Sequence, residues 1–217
     1  MLVVMIQAGT LFFVLHAVSA AAQAPLMKDF MGINAHTVQL KPEVYAPLCR
    51  LARDYHGVDW DLGIGADTSK PADFPLARNK VDWNEVYGSW TKAGLEVDAS
   101  LMLNAIGPQG WSNMEKDAEV YGEAFARFFG PSRGNKLVTS AEIGNEPGKY
   151  SDDQYRKVFS AMARGLRRGD PKMKILTCNV SLGKGDDYSK SVSCLEGLGD
   201  LYDVINAHSY AFQKYWP

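Results

Sequence analysis

KLVTSAEIGNEPGKY, residues 136–150, is the stretch whose reading decides the fold. LVTSAEIG (137–144) is a run of apolar and small residues and reads as a strand. At its end stand an amide, a carboxylate and a proline: Asn145, Glu146 and Pro147. Pro147 lacks an N–H and is expected to end the strand. A carboxylate at that point is costly unless it is paired or used. Ser151 with Gln154 then forms a capping box for a helix through Arg168, with Tyr155, Val158, Phe159, Met162 and Leu166 inward. Gly169, Asp170 and Pro171 end it.

The same strand–helix unit repeats on either side. MGINAH (31–36) reads as a first strand, and LKPEVYAPLCR (40–50) as a helix with Val44, Leu48 and Leu51 on one face. LARDYHGVDW (51–60) begins as a second strand, and GIGADTSKPADFP (63–75) is a loop. Asp82 with Glu85 opens a helix carrying Trp83, Val86, Tyr87 and Trp90, and Gly94 stops it. LEVDASLML (95–103) is a third strand. DAEVYGEAFARFF (117–129) is a helix with Val120, Tyr121, Ala124, Phe125 and Phe128 on one stripe. KILTCNV (174–180) and LYDVINAHSY (201–210) are the fifth and sixth strands, with a short helix around SVSCLEGL (191–198) between them.

Strands alternating with amphipathic helices imply parallel pairing and right-handed crossovers. The segments after the strands are long and chemically rich: HTVQ, HGVDW, NAIGPQGW, NEPGKY and HSYAF. That pattern fits the C-terminal face of a TIM (β/α)8 barrel. A doubly wound sheet is the rival. It usually carries a glycine-rich phosphate turn after its first strand, and MGINAHT is not one. Six strands fall short of the eight of a closed barrel. The expectation is an incomplete barrel of about six βα units, C-terminally truncated, with strands 7 and 8 missing and an exposed edge at the sixth strand.

The 217 residues are 46% hydrophobic and 22% charged, with a formal net charge of −2. That is globular composition, and nothing in it calls for nucleic acid. Residues 1–24, MLVVMIQAGTLFFVLHAVSAAAQA, carry no charged side chain and end in small residues. They read as a signal peptide cleaved near residues 20–24, leaving 25–217 as one partial catalytic domain. The protein would then be secreted or periplasmic, with no stable membrane insertion after cleavage. An uncleaved anchor is the alternative. Of Cys49, Cys178 and Cys194, the last two are the readiest pair for a disulfide; buried free thiols are the other reading.

AEIGNEP at the end of the fourth strand resembles the acid/base motif of clan A glycoside hydrolases, the retaining (β/α)8 superfamily. HSY (208–210) resembles that superfamily's His-x-Tyr pattern on strand six, and ARDYH (52–56) places an Arg at the second strand, as many members do. The resemblance spans roughly residues 30 to 212, and it implies hydrolysis of O-glycosyl bonds by double displacement. Glu146 would be the acid/base and Asn145 would bind the sugar 2-hydroxyl. Arg53 and Tyr210 would hold the nucleophilic carboxylate. His208 and His36 would contact sugar hydroxyls or tune Glu146. Trp60 and Trp111 would stack on sugar rings. No cofactor is implied, and the partner is a carbohydrate.

The family's nucleophile follows strand seven, which this sequence does not reach. Glu142, four residues before Glu146, lies too far below it on the strand and reads as an inward carboxylate paired with a neighbour. Plainer readings stand beside the others. Glu146 would cap the next helix or pair with Lys149. Arg53 would pair with Asp54, Asp59 or Asp61. His56 would pack a loop, face solvent or contact substrate. Trp60 and Trp111 would be loop packing, and Trp83 and Trp90 core. Two other function classes remain: a non-catalytic carbohydrate-binding or degenerate barrel, and a metal-dependent barrel hydrolase using His36, His56 and His208. The latter usually needs His-x-His on its first strand, absent here.

Overall fold

A computed structural model describes residues 26–37, 41–181 and 192–208. The proposed leader (1–24) and Tyr210 lie outside them. Six parallel strands pair in chain order: β1 (Gly32–Ala35), β2 (Leu51–Gly57), β3 (Glu96–Met102), β4 (Ser140–Ile143), β5 (Lys174–Ser181) and β6 (Val204–His208). Among the described residues five α-helices lie between them: α1 (Pro42–Tyr45), α2 (Val58–Leu62), α3 (Trp83–Lys92), α4 (Met114–Phe129) and α5 (Asp152–Gly169); the helix expected around 191–198 is a single 3-10 turn, Ser193–Leu195. Neighbours in sequence are neighbours in the sheet throughout, as in a (β/α) barrel rather than a doubly wound sheet, whose strand order reverses. The sheet is an incomplete (β/α) barrel.

Register divides the side chains between two faces. Asn34, Arg53, Asp98 and Ser140 share one row, and Tyr55, Ser100 and Glu142 share the next row on the same face. These polar residues line the inside of the sheet. Ala52, Asp54 and His56 of β2, Val97, Ala99 and Leu101 of β3, and Ala141 and Ile143 of β4 point to the helices and are buried. There they meet Trp83, Tyr87 and Trp90 of α3 and Tyr121, Phe125 and Phe129 of α4, all essentially inaccessible. Trp83 and Trp90 are core, as their helical spacing predicts.

The local signals explain most boundaries. Asp82 caps α3 by accepting from Asn84 N–H, and Ser151 and Gln154 form the reciprocal capping box of α5. Gly94, at φ +94°, turns the chain out of α3 into β3. Two expectations change. The helix drawn over 40–50 is only Pro42–Tyr45, because Pro47 has no N–H to continue it. Its proposed inward face is outward: Val44 and Leu48 are 55% and 67% exposed, and Leu51 belongs to β2. The helix expected at 117 begins at Met114, because the Asn113 side chain accepts from Lys116 N–H and caps it three residues earlier.

Candidate functional site

The stretch Ile143–Pro147 turns sharply as it leaves β4. The strand ends at Ile143, and Gly144 follows at φ +84°. Termination therefore comes from Gly144, three residues before Pro147. A side chain at Gly144 would press on Leu103 and Tyr155, and L-residues avoid this backbone region. Glu146 has φ +45°, a conformation costing a non-glycine residue roughly 1–2 kcal/mol. Its carbonyl accepts from the Asn104 side-chain amide at 3.0 Å. Its carboxylate Oε1 lies 3.0 Å from His208 Nδ1 at the end of β6, and the Glu146 side chain is 45% exposed. Glu146 is thus a reachable carboxylate held against an imidazole.

Below it lies a charged cluster centred on Arg53. The guanidinium grips Glu142 through two parallel bonds: Nε to Oε2 at 2.6 Å and Nη2 to Oε1 at 2.9 Å. Nη2 also donates to Asn145 Oδ1 at 2.9 Å and to Ser100 Oγ at 3.1 Å, and Nη1 donates to Asn34 Oδ1 at 3.2 Å. Glu142 is fully buried. Burial works against the charge on Arg53, but the bonds to Glu142 prevail and hold its pKa above the ordinary value. One row deeper, burial pushes the Asp98 carboxyl up to about 6, against a hydrogen bond from Ser140; nearby Glu142 adds to the rise and Arg53 opposes it.

Glu146, Asn145, Arg53 and His208 therefore come together. The Asp54, Asp59 or Asp61 pairing considered for Arg53 does not occur: Asp54 has the opposite parity on β2, and Asp61 turns into the helix layer. His36 is exposed just beyond β1, its ring 5.6 Å from that of Tyr55 on the inner face. His56 is neither loop-packed, solvent-facing nor near Glu146. It is buried behind β2, with Nδ1 2.8 Å from the Tyr87 hydroxyl and Nε2 2.7 Å from Asp61. His36, His56 and His208 thus do not converge on one metal. Trp111 does not present an open platform: it is 7% exposed and its indole N–H donates to Tyr150. Trp60 is half-buried and stacks toward Trp83, with ring centres 6.3 Å apart. No disulfide joins Cys178 to Cys194, and burial pushes the Cys178 thiol up to about 12.

Sequence reading passed over Asn34, Ser100 and Asn104. Each is a common polar residue whose relevance lies in its strand partner. The usable signal was parity: Ser100 faces Glu142 in register, and Asn34 faces Arg53.

No protein-family model matches the chain. A curated relative, the intracellular exo-α-(1→5)-L-arabinofuranosidase of Halalkalibacterium halodurans, is 22% identical over 199 residues, 84% of this chain and 40% of that protein. The chain thus spans about two fifths of that relative's length. Among solved structures, a glucosidase from Croceicoccus marinus superimposes with a TM-score of 0.58 at 18% identity, covering 76% of this chain and 38% of that one. Endoglucanase Cel5A from Thermotoga maritima gives 0.52 at 15% identity over 80% and 55%. A GH18 chitinase from Pseudoalteromonas aurantia gives 0.54 at 13% identity over 81% and 65%. The chain therefore shares the (β/α)-barrel fold of these glycoside-cleaving enzymes, with six parallel strands among the described residues.

Proposed function

We propose that this chain belongs to an exported glycoside hydrolase that cleaves O-glycosyl bonds with retention, and that Glu146 is its acid/base. The observation that carries this reading is the placement of Glu146: outside β4, at positive φ, against His208, beside an Asn145 fixed to Arg53. Backbone strain concentrates where a site needs a particular side-chain direction. In the first step Glu146 gives its proton to the departing glycosidic oxygen while a second carboxylate attacks the anomeric carbon. In the second step Glu146 removes a proton from the water that releases the sugar. Asn145 holds the sugar 2-hydroxyl. We place the nucleophile beyond residue 208, on a further strand. An arabinofuranoside is the substrate class to try first, given the curated relative.

The test uses the full-length protein and 4-nitrophenyl α-L-arabinofuranoside. Glu146→Ala is expected to lower turnover on natural glycosides by roughly 100- to 10,000-fold, with much less effect on activated aryl leaving groups. Sodium azide should restore turnover of the aryl substrate by forming the glycosyl azide. Proton NMR of the first product should show the substrate's anomeric configuration. Parental activity in Glu146→Ala removes it as the acid/base; an inverted first product removes the retaining mechanism.

A further inference from the structure

We propose that Glu142 is a positioning residue of this site: by taking both parallel bonds of Arg53, it locks the guanidinium so that Arg53 holds Asn145, and with it the turn bearing Glu146. This rests on the reading of Glu146 and Asn145 given above, and it assigns the buried carboxylate of β4 a role that the acid/base reading leaves open.

Taking a carboxylate and a guanidinium out of water costs several kcal/mol each, and an apolar pair of equal volume is often as stable or more so. Glu142 and Arg53 are therefore poorly explained by stability alone. Their geometry shows what the pair provides. Arg53 rises from β2, crosses above Ser100 of β3 and reaches Glu142 on β4. A long side chain spanning three strands has many rotamers, and fixing it takes a planar, two-point partner. Glu142 is that partner. With Nε and one edge of Nη2 taken, the Nη2 group is directed at Asn145 Oδ1, 2.9 Å away.

That last bond also decides which way the Asn145 amide faces. Oδ1 is occupied by Arg53, so the side-chain NH2 of Asn145 is turned away as a donor, the form required to bind a sugar hydroxyl oxygen. Asn145 lies between two positive-φ residues, Gly144 and Glu146, in a segment with no strand pairing of its own. Backbone bonds hold its flanks, Gly144 N–H to Leu101 O of β3 and the Asn104 amide to Glu146 O, and the Asn145 side chain is held from the sheet floor by Arg53. Glu142 thus acts through Arg53, and the chain of contacts runs Glu142, Arg53, Asn145.

A double-mutant cycle on the full-length protein tests this, with an unactivated α-(1→5)-linked arabino-oligosaccharide as probe, because its cleavage depends fully on Glu146. Glu142→Gln and Asn145→Ala are each expected to lower kcat by about 100-fold, the scale of a small misplacement at a reacting centre, with KM changed far less. Combined, they should fall no more than about threefold below Asn145→Ala alone, because both break one chain of contacts. Additive losses, or parental kcat in Glu142→Gln, overturn the proposal. If Glu142→Gln does not fold, Arg53→Met with Glu142→Leu removes both charges together; its kcat should match Asn145→Ala and be insensitive to adding that change. Activity is not the only readout. In 15N-asparagine-labelled protein the Asn145 side-chain NH2 signals should be widely split, and should collapse toward free-amide positions in Glu142→Gln. Unchanged signals overturn the positioning role whether or not Glu146 proves to be the acid/base.

Discussion

His56 shows how one buried residue ties several elements together. Its two ring nitrogens meet Tyr87 of α3 and Asp61 of α2; Asp61 also accepts from Trp83 Nε1 and Tyr121, and Tyr87 donates to Asp54, which takes the Thr37 hydroxyl. The segments after β1 and β2 are thereby fixed to the helix layer. Replacing His56 with Phe fills the volume but leaves Asp61 and Tyr87 short of partners. Urea denaturation should show a loss of about 2–4 kcal/mol. Asp98 gives a second residue-scale prediction. Its folded pKa, raised to about 6 from 3.8, means its stabilising share is full below pH 3.8 and is lost as pH rises through 6. Asp98→Asn should therefore be more stable than the parent at pH 8, by about 1–3 kcal/mol, and lose that advantage at pH 4.

At the scale of elements, the α4–α5 pair is the closest contact in the helix layer. Gly122 and Gly165 let the two backbones approach: a Cβ at Gly165 would sit 2.1 Å from Glu119 O, and one at Gly122 would sit 2.5 Å from Met162 O. Gly165→Ala must push the helices apart, and a cost of about 1–3 kcal/mol is expected in thermal or urea unfolding, despite alanine's better helix propensity. Outside that seam, Arg164 and Arg168 pair with Glu119 and Glu123. Just past α5, Asp170 accepts from Ser132, Arg133 and Lys172 backbone N–H groups and the Ser132 hydroxyl. Burial opposes the charge, but these bonds prevail and hold its pKa down at about 2. Its share of stability, about 2 kcal/mol, is present above pH 3.8 and lost as pH falls through 2. Asp170→Asn should remove that acid-side slope from a stability–pH curve.

For the molecule as a whole, the two edges of the sheet matter most. Leu26, Met27, Phe30, Met31, Val44 and Leu48 are exposed on the β1 side, and Val204 and Ile205 on β6. Parallel edges flanked by apolar side chains invite further pairing. Residues 25–217 produced alone should self-associate with rising concentration in sedimentation velocity runs. A monodisperse monomer at all concentrations would show the edges to be adequately shielded as they stand.

The sequence by itself determined the order and kind of the elements. Its apolar periodicity, caps and glycine stops are local, and local physics set six strands, the boundaries of α3 and α5 and the parallel fold, while the short α2 after β2 carried no such signal. It also marked Asn145, Glu146, Arg53 and His208, because NEP, ARD and HSY are contiguous patterns at strand ends. It misread α1, where a spacing of apolar residues outweighed Pro47. Only the tertiary structure decided which residues meet. Arg53 takes Glu142 rather than a neighbouring Asp because β2 and β4 present the same face across Ser100, 89 residues apart in sequence. His56 goes behind the sheet and Trp111 beneath Tyr150 because each finds a buried hydrogen-bond partner there. Such pairings depend on strand parity, register and reach through space, and no local stretch of sequence encodes them.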